Sequence, residues 1–143
     1  MNQWVLKMPF LRPPLSLNDR FANYHQERSL QKNIAHDVCV VARRAIKEGA
    51  LAAGLERVAV ELVYYPSNNG RRDADNIAAT LKPILDGLVD AKVIPDDKAE
   101  HVVRTSQRIV LARDDPYARR ESECWIVVTD ASDMGPLFHV PPN

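Results

Sequence analysis

The stretch from Arg71 to Asp97, RRDADNIAATLKPILDGLVDAKVIPDD, organises the rest of the chain. Asp73 and Asp75 stand at one end and Asp96 and Asp97 at the other, with a helical pattern between them that carries Lys82. Arg71 and Arg72 lie against the first acidic pair. Carboxylates beside basic residues are what a protein needs to hold a divalent cation against a phosphate. All-oxygen donors suit Mg²⁺, which takes one or two carboxylates and completes its octahedron with water and substrate oxygens. Mn²⁺ fits the same donors.

Local structure follows from the spacing. Val58 to Tyr65 is an apolar, β-branched and aromatic run that stops at Pro66, which predicts a strand. Ser67-Asn68-Asn69-Gly70 predicts a turn. Asp73 or Asp75 is then placed to cap a helix, because Asp accepts from the orphan amides of a first turn. Ile77, Leu81, Ile84, Leu85 and Leu88 form the expected buried stripe. At about 100° per residue, Asp75, Lys82 and Asp86 fall within roughly 20° of a second line. With ~1.5 Å of rise per residue, Lys82 lies about 10 Å and Asp86 about 16 Å along the axis from Asp75. Asp86 is therefore expected to pair internally and not to share a metal with Asp75. Pro83 either kinks this helix or stands in the first turn of one that restarts there.

The flanks read in the same way. Trp4 to Phe10 predicts a first strand, and Leu11 to Ser29 a loop carrying Asn18, Arg20, Asn23, Tyr24, His25 and Arg28. Ser29 is a plausible cap for a helix over about 30–53 with Ile34, Val38, Val41, Ala42, Ala45 and Ile46 as its apolar stripe. Arg43, Arg44 and Lys47 form a basic cluster on it, read as a solvated face or a DNA contact, and the lone His36 reads as solvated. His101 to Ala112 and Ser122 to Thr129 predict two more strands around a charged turn holding Asp114-Asp115. The tail over 131–143 is expected to be loosely ordered.

Composition narrows the class. A length of 143 residues with 45% apolar and 27% charged content fits one domain, 1–130, with a genuine core. No apolar run approaches the ~18 residues of a membrane span, and the first residues lack a secretory pattern. Cys39 and Cys124 are too far apart in sequence for a metal motif and are expected to be buried reduced thiols, which suits a cytoplasmic protein. The net charge of zero hides an asymmetry. Residues 1–72 hold eleven Lys/Arg against six Asp/Glu, and residues 73–143 eight against thirteen. A metal-dependent nuclease needs both signs, cations for the phosphate backbone and carboxylates for the metal; a solvated surface accounts for the charges equally well.

Arg72-Asp73-Ala74-Asp75-Asn76, then Lys82, Asp86-Gly87-Leu88 and Asp96-Asp97, resemble the RusA family of Holliday junction resolvases of phages, prophages and some bacteria. Pro13-Pro14, Asn18, Arg20 and His25 resemble the family's N-terminal segment, so the likeness spans most of residues 3–130. It departs at Lys82, seven residues after Asp75 where the family pattern has four. The resemblance implies an α+β fold, with a mixed β-sheet of about four or five strands and two main helices, assembled as a homodimer. It implies Mg²⁺-dependent cleavage of branched DNA in recombination and repair, in a bacterial or phage-infected cell. On this reading Asp73, Asp75 and Asp97 hold the metal with Asp96 assisting, and Lys82 neutralises charge on the phosphate. Arg71, Arg72, Asn18, Arg20, His25 and Asn76 contact DNA. Two rivals stand beside it: a branched-DNA-binding module without cleavage, and a D-x-D nucleotide transferase or phosphatase. The latter usually needs a larger α/β domain, and the chain has no glycine-rich phosphate loop.

Overall fold

A computed structural model describes residues 2–21, 23–133 and 140–142. Its centre is strand β2, Val58–Tyr65, whose residues are buried on both faces except Glu61 and Tyr65. On one face Val60, Leu62 and Tyr64 stand directly opposite Val128, Ile126 and Cys124 of β4, Glu123–Asp130. Leu6 of β1, Gln3–Lys7, extends this layer and pairs with Ile126 from the other side. The fourth strand, β3, Val102–Ile109, lies parallel to β2, while β1–β4 and β4–β2 are antiparallel. The sheet is therefore mixed, with spatial order β1-β4-β2-β3.

Two helices cover the apolar face. α1, Tyr24–Lys47, contributes Ile34, Val38, Ala42 and Ala45, and α2, Leu81–Asp90, contributes Ile84 and Leu88. Leu62, Ile84, Leu88 and Ile126 are fully buried, and each such side chain stabilises the fold by roughly 1.5–3 kcal/mol relative to exposure. The helices approach closely at Gly87: a β-carbon there would lie 2.7 Å from the Ala35 carbonyl oxygen and 2.8 Å from the Val38 side chain. The sequence-predicted stripe Ile77, Leu81, Ile84, Leu85 and Leu88 is buried throughout. Cys39 and Cys124 are free and buried, as expected, and burial pushes the Cys124 thiol up to about 12.

Several boundaries differ from expectation, among them β3, which ends at Ile109 and not at Ala112. α1 begins six residues before Leu30 and is capped by Asn23, whose Oδ1 accepts from the Gln26 amide at 2.9 Å. The first turn is polar and exposed, so no apolar period marks it. At the other end α1 stops at Lys47, not near residue 53, because Gly49 adopts φ 78°. The amides of Gly49 and Ala50 then return to the Ile46 and Ala45 carbonyls at 3.1 and 2.8 Å, a Schellman closure. β1 is shorter than predicted and ends at Lys7.

A further difference lies in the motif itself. Ala74–Thr80 is a 3₁₀ helix, and the α-helix starts only at Leu81. Pro83 accounts for this: it has no N–H to give the carbonyl four residues back, so an α-ladder running through it would be broken. Placed in the first turn of α2, where amides lack intrahelical partners anyway, it costs little. Of the two readings of Pro83, the restart is the one found. Of the expected tail, residues 134–139 and 143 lie outside the described residues. Among the described residues no helix is long and apolar enough to cross a membrane.

Candidate functional site

β2 delivers the chain into the motif at Tyr65. The Arg72 guanidinium turns back to donate to the Asn68 carbonyl at 3.3 Å, the Asn68 side chain at 2.9 Å and the Gly70 carbonyl at 2.9 Å, and it lies over the Tyr64 ring. Arg72 therefore shapes the turn that was expected to precede it. Arg71 is left exposed. Asp73 occupies the cap position of the 3₁₀ helix with extended backbone, but its side chain accepts no capping bond. Asp75 sits in the first turn, and both carboxylates are exposed. The expected capping role is thus not the one Asp73 plays.

The 3₁₀ helix holds the N-terminal loop. Thr80, fully buried, accepts from the Leu15 amide at 3.1 Å and donates to the Leu15 carbonyl at 2.9 Å. The Leu17 amide donates to the Asn76 carbonyl at 3.0 Å. Within the loop, Ser16 and Asp19 side chains accept from the Asn18 and Ser16 amides at 3.2 and 2.7 Å. Asn18 and Arg20 are thereby carried on a turn docked against Asn76, although fifty-eight residues separate Asn18 from Asn76 in sequence. His25 lies in the first turn of α1 and not in a loop, with its ring edge-on to Tyr24. Thr80 is the residue that sequence reasoning missed; a threonine amid an apolar helical pattern was the only signal.

Lys82 ties the start of α2 to the C-terminal end of the motif. Its Nζ donates to Asp86 at 3.0 Å and to Asp97. Asp97 is further oriented by Asp96, whose Oδ1 accepts the Asp97 amide at 2.6 Å. The bond from Lys82 holds the Asp97 carboxyl below the ordinary carboxylate value, and the bonds to Asp97 and then Asp86 raise the Lys82 ammonium. Asp86 is the internal partner it was expected to be. The α-helical projection that set Asp75 on the Lys82 line fails, because the 3₁₀ segment turns by about 120° per residue, not 100°.

Lys82, Asp86, Asp96 and Asp97 form part of one wall of an open groove of about 930 Å³, and α1 supplies the facing wall. Asp73 and Asp75 are not among its lining residues. In kind, the motif's donors fit a hard cation, being carboxylate oxygens that Mg²⁺ uses in ones and twos. In arrangement, no three His, Cys, Asp or Glu side chains among the described residues are grouped to hold a metal. Asp97 is brought to Lys82 and Asp86, while Asp73 and Asp75 stand apart on the surface. The second acidic pair, Asp114-Asp115, belongs to the turn before β4: Asp115 accepts from Arg119 at 2.7 Å and from the Tyr117 amide at 3.0 Å. The chain matches no model of a known protein family, and no curated protein is similar enough to count as a relative.

Proposed function

We propose that this chain is a RusA-like, Mg²⁺-dependent endonuclease that cuts four-way DNA junctions as a homodimer. The observation that carries the reading is the Lys82–Asp97 pair, which draws the Asp96-Asp97 turn onto the helix following Asp73 and Asp75. Lys82, Asp86 and Asp97, separated in sequence, are thereby made neighbours.

In this reading Asp73, Asp75 and Asp97 hold the cation and Asp96 orients Asp97. The bound ion supplies polarisation of the scissile phosphate and activation of water. Every other role belongs to the chain. Exposed Asp73 and Asp75 present ionisable oxygens without a capping bond at Asp73 to divert them. Lys82, already an ammonium between two carboxylates, offers positive charge to the phosphate oxygens. Arg71 grips a neighbouring phosphate, and Arg72 holds the turn from which Arg71 projects. Asn18, Arg20, His25 and Asn76 contact the strands that branch from the junction. A two-fold dimer gives two equivalent sites for the two cuts that resolution requires.

The test is incubation of the protein with a synthetic four-way junction and with linear duplex, each in Mg²⁺ and in EDTA. Paired nicks in the junction with Mg²⁺ alone support the proposal. Tight junction binding without cleavage in any divalent ion would mark a non-cleaving module, and turnover of nucleotides without DNA cleavage a transferase or phosphatase. Sedimentation at twice 16.1 kDa checks the dimer.

A further inference from the structure

The groove beside Lys82 has a wall that the motif does not explain. Arg28, Lys32, His36 and Arg43 of α1 all line it. At about 100° per residue they fall within an arc of roughly 80°, so a single helix face presents them. The acidic residues of α1, Glu27 and Asp37, are not in the lining. The basic cluster Arg43, Arg44 and Lys47 is divided by the fold: Arg43 faces the groove, while Arg44 pairs with Glu48 at 3.1 Å on the outside.

These cations are set rather than neutralised. Arg28 donates to the Tyr24 hydroxyl at 2.6 Å and Arg43 to the Asp90 carbonyl at 3.3 Å, both uncharged acceptors. Lys32 has no hydrogen-bond or ion-pair partner among the described residues. The opposite wall carries four carboxylates: Asp86 and Asp97 are bridged by Lys82, Asp96 lies 3.7 Å from Lys98, and Asp90 sits at the end of α2, where its carbonyl takes the Arg43 bond. Arg28, Lys32 and Arg43 thus have no ion-pair partner among the described residues, and the wall they form is concave and continuous with the Lys82–Asp97 pair.

We infer that the α1 wall of this groove is a phosphate-backbone track, on which Arg28, Lys32 and Arg43 seat one DNA strand leading to Lys82. From Arg28 to Arg43 the helix rises about 22 Å. That matches roughly six phosphates of one strand at ~3.4 Å each along the duplex axis. Lysine and arginine contacts of this kind position the duplex without reading bases, so the track serves any sequence. The inference rests on the nuclease reading above and assigns it a second contact surface, separate from Arg71 and the N-terminal loop.

The test measures binding, not cleavage. Affinity for a labelled four-way junction is followed in EDTA across a salt series from about 50 to 200 mM. Wild type is compared with the Arg28→Gln/Lys32→Gln double variant and with Arg44→Gln/Lys47→Gln, which removes the same charge from α1 outside the groove. Glutamine keeps helix propensity, and Lys32→Gln alone serves if the double variant loses its circular dichroism. The groove variant is expected to flatten the slope of log K against log salt by about 1.8, at 0.9 per lost contact, and the single variant by about 0.9. The control pair is expected to keep the wild-type slope. Equal slopes for groove and control variants, with a wild type that binds and cuts, overturn the track and leave the nuclease reading intact. A wild type that binds no DNA overturns both.

Discussion

Lys82 and Asp97 form a direct ion pair across fifteen residues, and Asp86 completes the set from one helical turn further along α2. The ammonium sits among carboxylates where a cation would also be attracted. On the proposed reading a metal at Asp97 would compete with Lys82 for the same oxygens, so a change at Lys82 would alter two measurable quantities in opposite senses.

Lys82→Met is expected to lower single-turnover cleavage of a junction at saturating enzyme by ~10²–10³, the usual loss for one electrostatic donor. The same variant is expected to reach half its activity at lower Mg²⁺ than wild type, because the competing ammonium is gone. Magnesium titration of the single-turnover rate checks both. An unchanged rate removes Lys82 from the catalytic group.

Asp73→Asn, Asp75→Asn and Asp97→Asn are each expected to abolish cleavage while junction binding persists or tightens, since negative charge beside DNA is removed. Gel-shift affinity and cleavage, measured on the same preparation, separate the two effects. A variant with near-wild-type turnover shows that its carboxylate is dispensable. Asp86→Asn is expected to be milder, because Asp86 acts through Lys82.

The Asp97 carboxyl is depressed chiefly by its bond from Lys82. Its contribution to stability is therefore present above the ordinary value of 3.8 and lost as pH falls through the lower folded-state value. Thermal melts of wild type and Asp97→Asn are expected to differ at neutral pH and to converge in acid as wild-type Asp97 takes up its proton. The pair is partly exposed, so the difference is expected to be small and to shrink with salt. A gap that persists unchanged into strong acid points to packing and not charge.

Gly87→Ala is expected to destabilise the fold by about 1–3 kcal/mol, the range for overpacking a close contact. The new methyl would meet the Ala35 carbonyl and Val38, and the general preference of helices for alanine over glycine, about 1 kcal/mol, acts the other way. Urea denaturation gives the sign directly. A stabilised variant means that α1 moves aside easily.

The fold was legible where period and punctuation agreed. β2 carried an apolar, β-branched run and a stop at Pro66, and the predicted stripe survived even though Ile77 proved to sit on a 3₁₀ segment, because spacings of three and four both suit an apolar side. The first turn of α1 was not legible, because its cap is Asn23 and its residues are polar. The site was legible in residue type and only partly in arrangement. The spacing marked Asp86 as an internal pairing residue, and the structure supplies Lys82 as its partner. The spacing could not give Lys82–Asp97, which depends on how the connection after α2 folds back, or the Leu15–Thr80 bonds, which link segments sixty-five residues apart. The basic cluster of α1 read as either a solvated face or a DNA contact, and only the fold divides it, turning Arg43 to the groove and Arg44 away.

The pairing of β1 with β4 also has a practical consequence. Asp130 donates its amide to the Asn2 carbonyl at 2.9 Å, beside the Gln3–Thr129 pair. Both positions lie level with Val58, whereas the Asp73 turn leaves from the Tyr65 end of β2. At ~3.3 Å per residue those ends are about 23 Å apart. A fluorophore or surface tether placed ahead of Asn2 is therefore attached at the opposite end of β2 from the Asp73 turn, where a handle stands clear of Arg71, Asp73 and Asp75.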